Sequence, residues 1–357
     1  MKKILVVSSF PAPYRVAVFE GLAAYYQLDV FFEFDKDQNR NADWFVKGRD
    51  FYVLSSGEAA DRFADCLRGM AAYDLVLAYD YLNPNARRAM RRAMRAGVPY
   101  CVNCDGAFIG RHWLKDLLKR YYVSHAAACF SSGRFAREYF LNYGAKADRI
   151  YEHRFTSLTE KDVETLAALG EERQRAREPG PSRPQVLTIG QFIHRKGFDV
   201  LLRAWKSLDG QAQLTIVGGG DLRGEYLETI RENGFKNVEV LDFMKKEDLY
   251  RYYQKADLFV LPTREDIWGL VINEAMACGL PVVSTDRCIA AMELLGDGAG
   301  GLIVPVGDSE ALAAAIGRLL KDDELRQRMG ERNRREMREQ TLERIVESHR
   351  EVIEKIL

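Results

Sequence analysis

Two acidic side chains, Asp266 and Glu274, flank a glycine inside the run LPTREDIWGLVINEAMACGLPVVS at Leu261–Ser284. Glu274 is the one charged residue of a helical stretch otherwise made of Leu270, Val271, Ile272, Asn273, Ala275, Met276 and Ala277. A carboxylate in so apolar a helix is costly unless polar partners surround it. Its two acceptor oxygens suit the vicinal hydroxyls of a ribose. The helix start at Gly269 and Leu270 offers free N–H groups and the positive end of the helix dipole to a phosphate or a sugar. Asp266, with Glu265 just before it, falls in the loop over that start. The competing reading makes Glu274 a carboxylate salt-bridged to Arg or Lys, and Asp266 a helix cap.

A second cluster lies in GQFIHRKGFDVLLRAW (Gly190–Trp205), where a strand ends at Gly190 and a loop carries Arg195 and Lys196 into a helix. Two adjacent cations at a strand end, beside a helix N-terminus, suit the negative charge of a diphosphate. A solvated basic turn is the plainer alternative. Gly218, Gly219 and Gly220 follow the strand LTIV, and a tight turn explains them as well as ligand contact does. Earlier in the chain, PAPYR (Pro11–Arg15) runs from the first strand into a helix, and CVNCDGAFIGRHW carries Asp105 and His112.

Apolar strand-like runs alternate with helix-period segments, the pattern of parallel α/β sheets. In the first half strands are expected near Lys3–Ser8, Leu28–Phe34, Leu75–Tyr79, Tyr100–Asn103 and Ala128–Ser131. EPGPSRP (Glu178–Pro184) is the best linker candidate, and the alternation restarts at Gln185–Ile189. The fold class expected is therefore two Rossmann-like, doubly wound parallel sheets, with ligands at the carboxyl ends of the strands and in a cleft between the domains. The tail Ser309–Leu357 reads as helical throughout, with the Arg and Glu of Glu331–Arg344 on a solvated face.

A chain of 357 residues with 47% hydrophobic and 29% charged content can bury two ordinary cores. Its 52 basic residues balance 52 acidic ones, so no global charge points to nucleic acid. Six scattered cysteines, with one CxxC at Cys101 and Cys104, suit a reducing cytoplasm better than a disulfide framework or a zinc site. No apolar run reaches about 18 residues, and MKKILVVSSF reads as a first strand rather than a secretion signal. The expected location is the cytoplasm, optionally peripheral on the inner face of the cell membrane. Two stretches bear on that option: the arginines Arg87, Arg88, Arg91, Arg92 and Arg95, and RHWLKDLLKRYY at Arg111–Tyr122. They suit either an anionic membrane or a solvated face above a core-facing stripe.

The motif with Asp266 and Glu274 resembles the signature of retaining family 4 glycosyltransferases of GT-B fold, a first acidic residue and a second Glu separated by seven residues, with an aromatic–Gly–Leu inside and EAMACGLPVV after. That resemblance implies an N-terminal acceptor-binding domain over residues 1–178, a nucleotide-sugar-binding domain over 185–333, and a last helix over 334–357 that returns to the first domain. It implies a nucleotide-diphosphate sugar as co-substrate, no cofactor and no metal, and a saccharide or lipid-linked acceptor. Lys196 corresponds to the lysine that grips the diphosphate. The companion arginine's place is held by Gln191, which leaves Arg195 as its substitute. Asp266 or Glu265 takes the part of the first Glu, and Asp105 stands where many relatives carry a His near the donor sugar, or else caps the next segment. Arg15 is placed to meet an acceptor phosphate. Lys196, Arg195, Asp266 and Asp105 are thus the candidates for the reacting centre, and Glu274, Gly269, Leu270, Glu265, Gly190 and Arg15 for binding, with Glu293 as a further donor contact. A nucleotide-sugar epimerase or a non-catalytic sugar-binding subunit of the same fold are the alternatives.

Overall fold

The computed structural model describes residues 1–35, 45–46, 51–110, 112–176 and 183–357. These residues form two compact units, Met1–Ser157 with Thr341–Leu357, and Leu158–Gln340. Part of the proline-rich linker candidate, residues 178–182, lies outside the described residues, as does Arg111.

The first unit is a seven-stranded parallel sheet of order β3-β2-β1-β4-β5-β6-β7. Its strands are β1 (Lys3–Ser8), β2 (Gln27–Phe32), β3 (Tyr52–Val53), β4 (Leu75–Ala78), β5 (Tyr100–Cys104), β6 (Ala128–Ser131) and β7 (Ile150–Glu152). Between them run α1 (Pro13–Ala23), α2 (Gly57–Arg68), α3 (Pro84–Ala96), α4 (Trp113–His125) and α5 (Arg134–Asn142). The central strand β1 is buried on both faces through Ile4, Leu5, Val6 and Val7, which is why it reads as an unbroken apolar run. Sequence order reverses between β1 and β4, and a doubly wound sheet opens its ligand crevice at that switch point, beyond the strand C-termini.

The second unit repeats the plan with six strands of order β10-β9-β8-β11-β12-β13. They are β8 (Gln185–Ile189), β9 (Gln213–Val217), β10 (Val238–Leu241), β11 (Leu258–Leu261), β12 (Val282–Thr285) and β13 (Gly301–Val304). The helices are α6 (Glu160–Arg175), α7 (Phe198–Trp205), α8 (Arg223–Glu232), α9 (Lys246–Lys255), α10 (Leu270–Ala277), α11 (Ile289–Leu294), α12 (Ser309–Lys321) and α13 (Asp323–Met337). Here the order reverses between β8 and β11.

Helix α6 precedes the linker candidate in sequence yet packs in the second unit. Its Arg173 donates to the Ala256 carbonyl at 2.7 Å and the Gly279 carbonyl at 3.1 Å, so one cation serves the C-terminal ends of α9 and α10. Gly170 is required there, since a Cβ would overlap the Cys278 carbonyl oxygen. The tail, expected as continuous helix, is broken twice. Asp322 and Thr341 each turn a side-chain oxygen onto the backbone N–H three residues on, starting α13 and then α14 (Leu342–Ile356). Nor is Glu331–Arg344 wholly solvated: Asn333 is buried and donates to the Leu280 and Gly300 carbonyls, both at 2.8 Å. Helix α14 belongs to the first unit and lies on α1, where Val346 occupies the space a side chain at Gly21 would need.

Candidate functional site

At the switch point of the second unit, the loops after β8 and β11 interlock. Gly197 has φ +70°, and any Cβ there would overlap the Pro262 carbonyl oxygen, so only glycine permits the two loops to touch. The Arg195 carbonyl accepts from the Arg264 N–H at 2.7 Å and the Thr263 hydroxyl at 3.0 Å. These contacts hold Lys196 so that its stem crosses Gly190 and its ammonium donates to Asp266 Oδ2. Both side chains are largely buried. Burial would push the Asp266 carboxyl up, but the Lys196 ammonium and then Arg195 hold it below its ordinary value. Arg195 Nη1 lies 3.6 Å from Asp266 Oδ1 and donates to the Glu265 carbonyl at 2.7 Å. The Glu265 carboxylate is turned elsewhere, to Arg287 at 2.6 Å. It is therefore Asp266, not Glu265, whose side chain meets the cations.

Three residues beyond Asp266, Gly269 adopts φ +101° and starts α10. A Cβ there would press on Cys288 Sγ at 3.0 Å and Leu261 Cδ2 at 3.2 Å. Within α10 only Leu270, Val271 and Glu274 are not fully buried, and their spacing places them on one side of the helix, next to its N-terminus. Glu274 has no ion-pair partner among the described residues. Its Oε2 accepts from the Tyr253 hydroxyl at 2.7 Å, and Lys246 and Asp162 act on it only through space. Burial pushes its carboxyl pKa up, the Tyr253 bond opposes this, and the Tyr253 phenol in turn is driven well above its usual range by burial and the neighbouring carboxylate. Asn273 points the other way and accepts from Trp268 Nε1 at 2.8 Å, fixing the aromatic ring that precedes Gly269.

The first unit gathers a second cluster beyond β1, β4, β5 and β7. Arg15, buried in the first turn of α1, pairs with Asp105 and stacks its guanidinium 4.4 Å from the centre of the Tyr79 ring. Asn103 donates to the other Asp105 oxygen at 2.7 Å. Burial raises the Asp105 carboxyl while Arg15 lowers it, and the nearby Asp80 adds to the rise, so the net shift is upward. His153, after β7, and His349, from α14, close a narrow cavity of about 10 Å³ with these residues, room for about one water. His153 Nδ1, His349 Nε2 and the Tyr79 hydroxyl have no hydrogen-bond partner among the described residues. Burial holds both histidines neutral, His349 with a pKa lowered to about 4.

Comparison with known proteins places the first cluster, not the second, inside a described family. Residues 171–336 match the family model of glycosyl transferases group 1. That segment of the chain is similar to the glycosyl transferases group 1. A lipopolysaccharide core biosynthesis glycosyltransferase of Rhizobium meliloti is 34% identical over 149 residues, 42% of this chain and 43% of that protein. An N-acetylgalactosamine-N,N'-diacetylbacillosaminyl-diphospho-undecaprenol 4-alpha-N-acetylgalactosaminyltransferase of Campylobacter jejuni is 32% identical over 142 residues, 40% of this chain and 38% of that protein. The matches thus span less than half the length of these relatives. Over its whole length the chain is similar to HepE of Anabaena, solved in complex with UDP, with a TM-score of 0.75 at 19% identity, covering 99% of this chain and 100% of that one. This likeness is one of fold, and the two-sheet architecture is the GT-B fold.

Within the group 1 segment the structure brings Gly190, Arg195, Lys196, Asp266, Gly269 and Leu270 together, with Glu274 on the next turn of the same helix. Glu293 is half-buried on α11. Gly218 and Gly220 lie against the backbone of Gly190 and Phe192, where a Cβ on either would clash, so close loop packing accounts for them. Outside the segment Arg15 and Asp105 pair, whereas His112 is exposed at the start of α4, its backbone N–H donating to Asp116. Asp105 does not cap that helix. Sequence patterning missed Tyr253, one of three tyrosines in LYRYYQK, and it missed His153 and His349, which are far apart in the chain and meet only in the folded unit. The cysteines are all free.

Proposed function

We propose that this protein is a retaining glycosyltransferase that moves a sugar from a nucleotide-diphosphate sugar to a hydroxyl of a saccharide or lipid-linked acceptor, in the assembly of a cell-surface polysaccharide. The carrying observation is the grouping of Lys196, Asp266 and the Gly269 helix start at the strand switch point of the segment that matches glycosyl transferases group 1, with Glu274 partly buried one turn on. Glu274 accepts the ribose hydroxyls. Lys196 and Arg195 neutralise the diphosphate, aided by the backbone N–H groups at Gly269 and Leu270. On donor binding Lys196 exchanges part of its contact with Asp266 for phosphate oxygen, which frees an Asp266 oxygen for a sugar hydroxyl.

The bond from the anomeric carbon to the diphosphate breaks, the acceptor oxygen bonds to that carbon on the same face, and the acceptor proton passes to the departing phosphate oxygen. Positioning and charge neutralisation supply the rate, without a carboxylate nucleophile or a metal. The first unit takes the acceptor, with Arg15 and Asp105 at its strand ends. The relatives named for lipopolysaccharide core and undecaprenol-linked substrates support the acceptor class, and the UDP complex of the fold neighbour makes uridine nucleotides the first to try.

A thermal-shift screen across UDP-, GDP- and ADP-sugars tests the donor site, since a ligand bound by the folded state alone raises the melting temperature. Transfer in the presence of EDTA, with the anomeric configuration of the product read by NMR, tests mechanism. No shift with any nucleotide sugar at millimolar concentration would refute the proposal.

A further inference from the structure

The outer side of α4 is apolar and uncovered. Trp113, Leu114, Leu117, Leu118 and Tyr121 are all exposed, Trp113 to 73% and Leu117 to 59%, and Ile109 in the preceding loop joins them. At ~100° per residue these five helical positions sweep an arc of roughly 140°. The opposite side, Tyr122 and Val123, faces the core. Exposed Arg120 and Lys115 border the apolar arc on either edge. The one acidic residue of α4, Asp116, is turned away, accepting from the Tyr143 hydroxyl at 2.8 Å and lying 3.4 Å from Lys119.

The neighbouring helix adds charge of one sign. Strands β4, β5 and β6 step across the sheet in one direction, and right-handed crossovers place α3 and α4 on the same face. Helix α3 exposes Arg88, Arg91, Arg92 and Arg95 and contains no acidic residue. An apolar strip rimmed by long cations suits the boundary of an anionic bilayer, where the rings and leucines enter the acyl edge and the cations reach the phosphates. A second copy of the chain fits less well, because a two-fold contact through this face sets arginine rows against each other.

We propose that α4 seats the protein on an anionic lipid surface through Trp113, Leu114, Leu117, Leu118 and Tyr121, with the arginines of α3 alongside. The inference deepens the lipid-linked acceptor reading given above, and rests on it only for its purpose. Asp105 directly follows β5, the strand from which the chain runs into α4, so a hydroxyl carried on a membrane lipid is delivered at the sheet edge where Arg15 and Asp105 pair.

The test is co-sedimentation of the full chain with phosphatidylcholine vesicles, with and without phosphatidylglycerol. Binding is expected only with the anionic lipid, and it should weaken with salt. The exposed pair Trp113→Glu/Leu117→Glu should lower partitioning roughly hundredfold, and Arg91→Gln/Arg92→Gln roughly thirtyfold. Equal pelleting of the wild type and the glutamate variant overturns the proposal. So does failure to bind phosphatidylglycerol vesicles, or a wild-type dimer that the glutamate pair dissociates. The UDP-sugar thermal shift is run on the same proteins. A retained shift without vesicle binding refutes this surface alone, and vesicle binding without any nucleotide shift refutes the donor site alone.

Discussion

Replacing Glu274 by Gln separates a ligand-binding carboxylate from a structural one. Glu274 has the Tyr253 hydroxyl as its donor at 2.7 Å and no ion-pair partner among the described residues, and burial pushes its pKa up. A Gln amide oxygen accepts the same hydroxyl and brings no charge to desolvate. With a raised folded-state pKa, the carboxylate disfavours folding at neutral pH and this is relieved as pH falls toward that pKa, so the variant should be at least as stable as the wild type near neutrality. Its cost appears with ligand. Two ribose hydroxyls donating to a carboxylate contribute about 1.5–3 kcal/mol each, so loss of the charge should cost about 2.7 kcal/mol, or about hundredfold in Kd. With UDP-sugar at 100 times the wild-type Kd, ligand stabilisation falls from about 2.7 to about 0.4 kcal/mol. For a unit of this size that reduces the melting increment from about 5–10 °C to about 1 °C. The assay is a pair of thermal melts, with and without donor. A Gln variant that melts well below the wild type alone, yet keeps the full increment with donor, refutes the ribose assignment.

Lys196→Ala should destabilise the second unit by about 3 kcal/mol in urea unfolding, because it leaves Asp266 buried without its nearest cation. The double variant Lys196→Ala/Asp266→Asn should recover part of this while remaining unable to bind donor. Since the Asp266 pKa is lowered, the stability it gives is present above the ordinary carboxylate range and is lost as pH falls through the folded value. Gly197→Ala, at φ +70° and against the Pro262 carbonyl, should cost more than about 2 kcal/mol or abolish soluble expression. His349 is buried with a pKa lowered from 6.5 to about 4, so the unfolded chain takes up its proton first on acidification. Stability should fall by about 3 kcal/mol across that window, and His349→Phe, which keeps the stacking on Phe130, should flatten the fall in pH-dependent unfolding.

The two sheets were legible in the chain because strands buried on both faces, such as Ile4–Val7 and Leu258–Leu261, read as unbroken apolar runs between helix-period segments. The donor-site candidates were legible for a related reason. A glycine before a helix and a charge inside an apolar helix are local anomalies, and Gly269 and Glu274 carry their signal within one short stretch. Strand β3, two residues long, had no such pattern to find. The unit to which α6 belongs was decided by Arg173 and Gly170 meeting the ends of helices far along the chain. Tertiary structure alone chose Asp266 over Glu265, since adjacent side chains on a loop point in different directions and only the position of Lys196 and Arg287 tells which carboxylate meets which cation. It alone joined Arg15, Asp105, His153 and His349, which come from four separate elements. Local sequence determines what a segment prefers to be; which charges share a buried space depends on the order in which strands lie side by side.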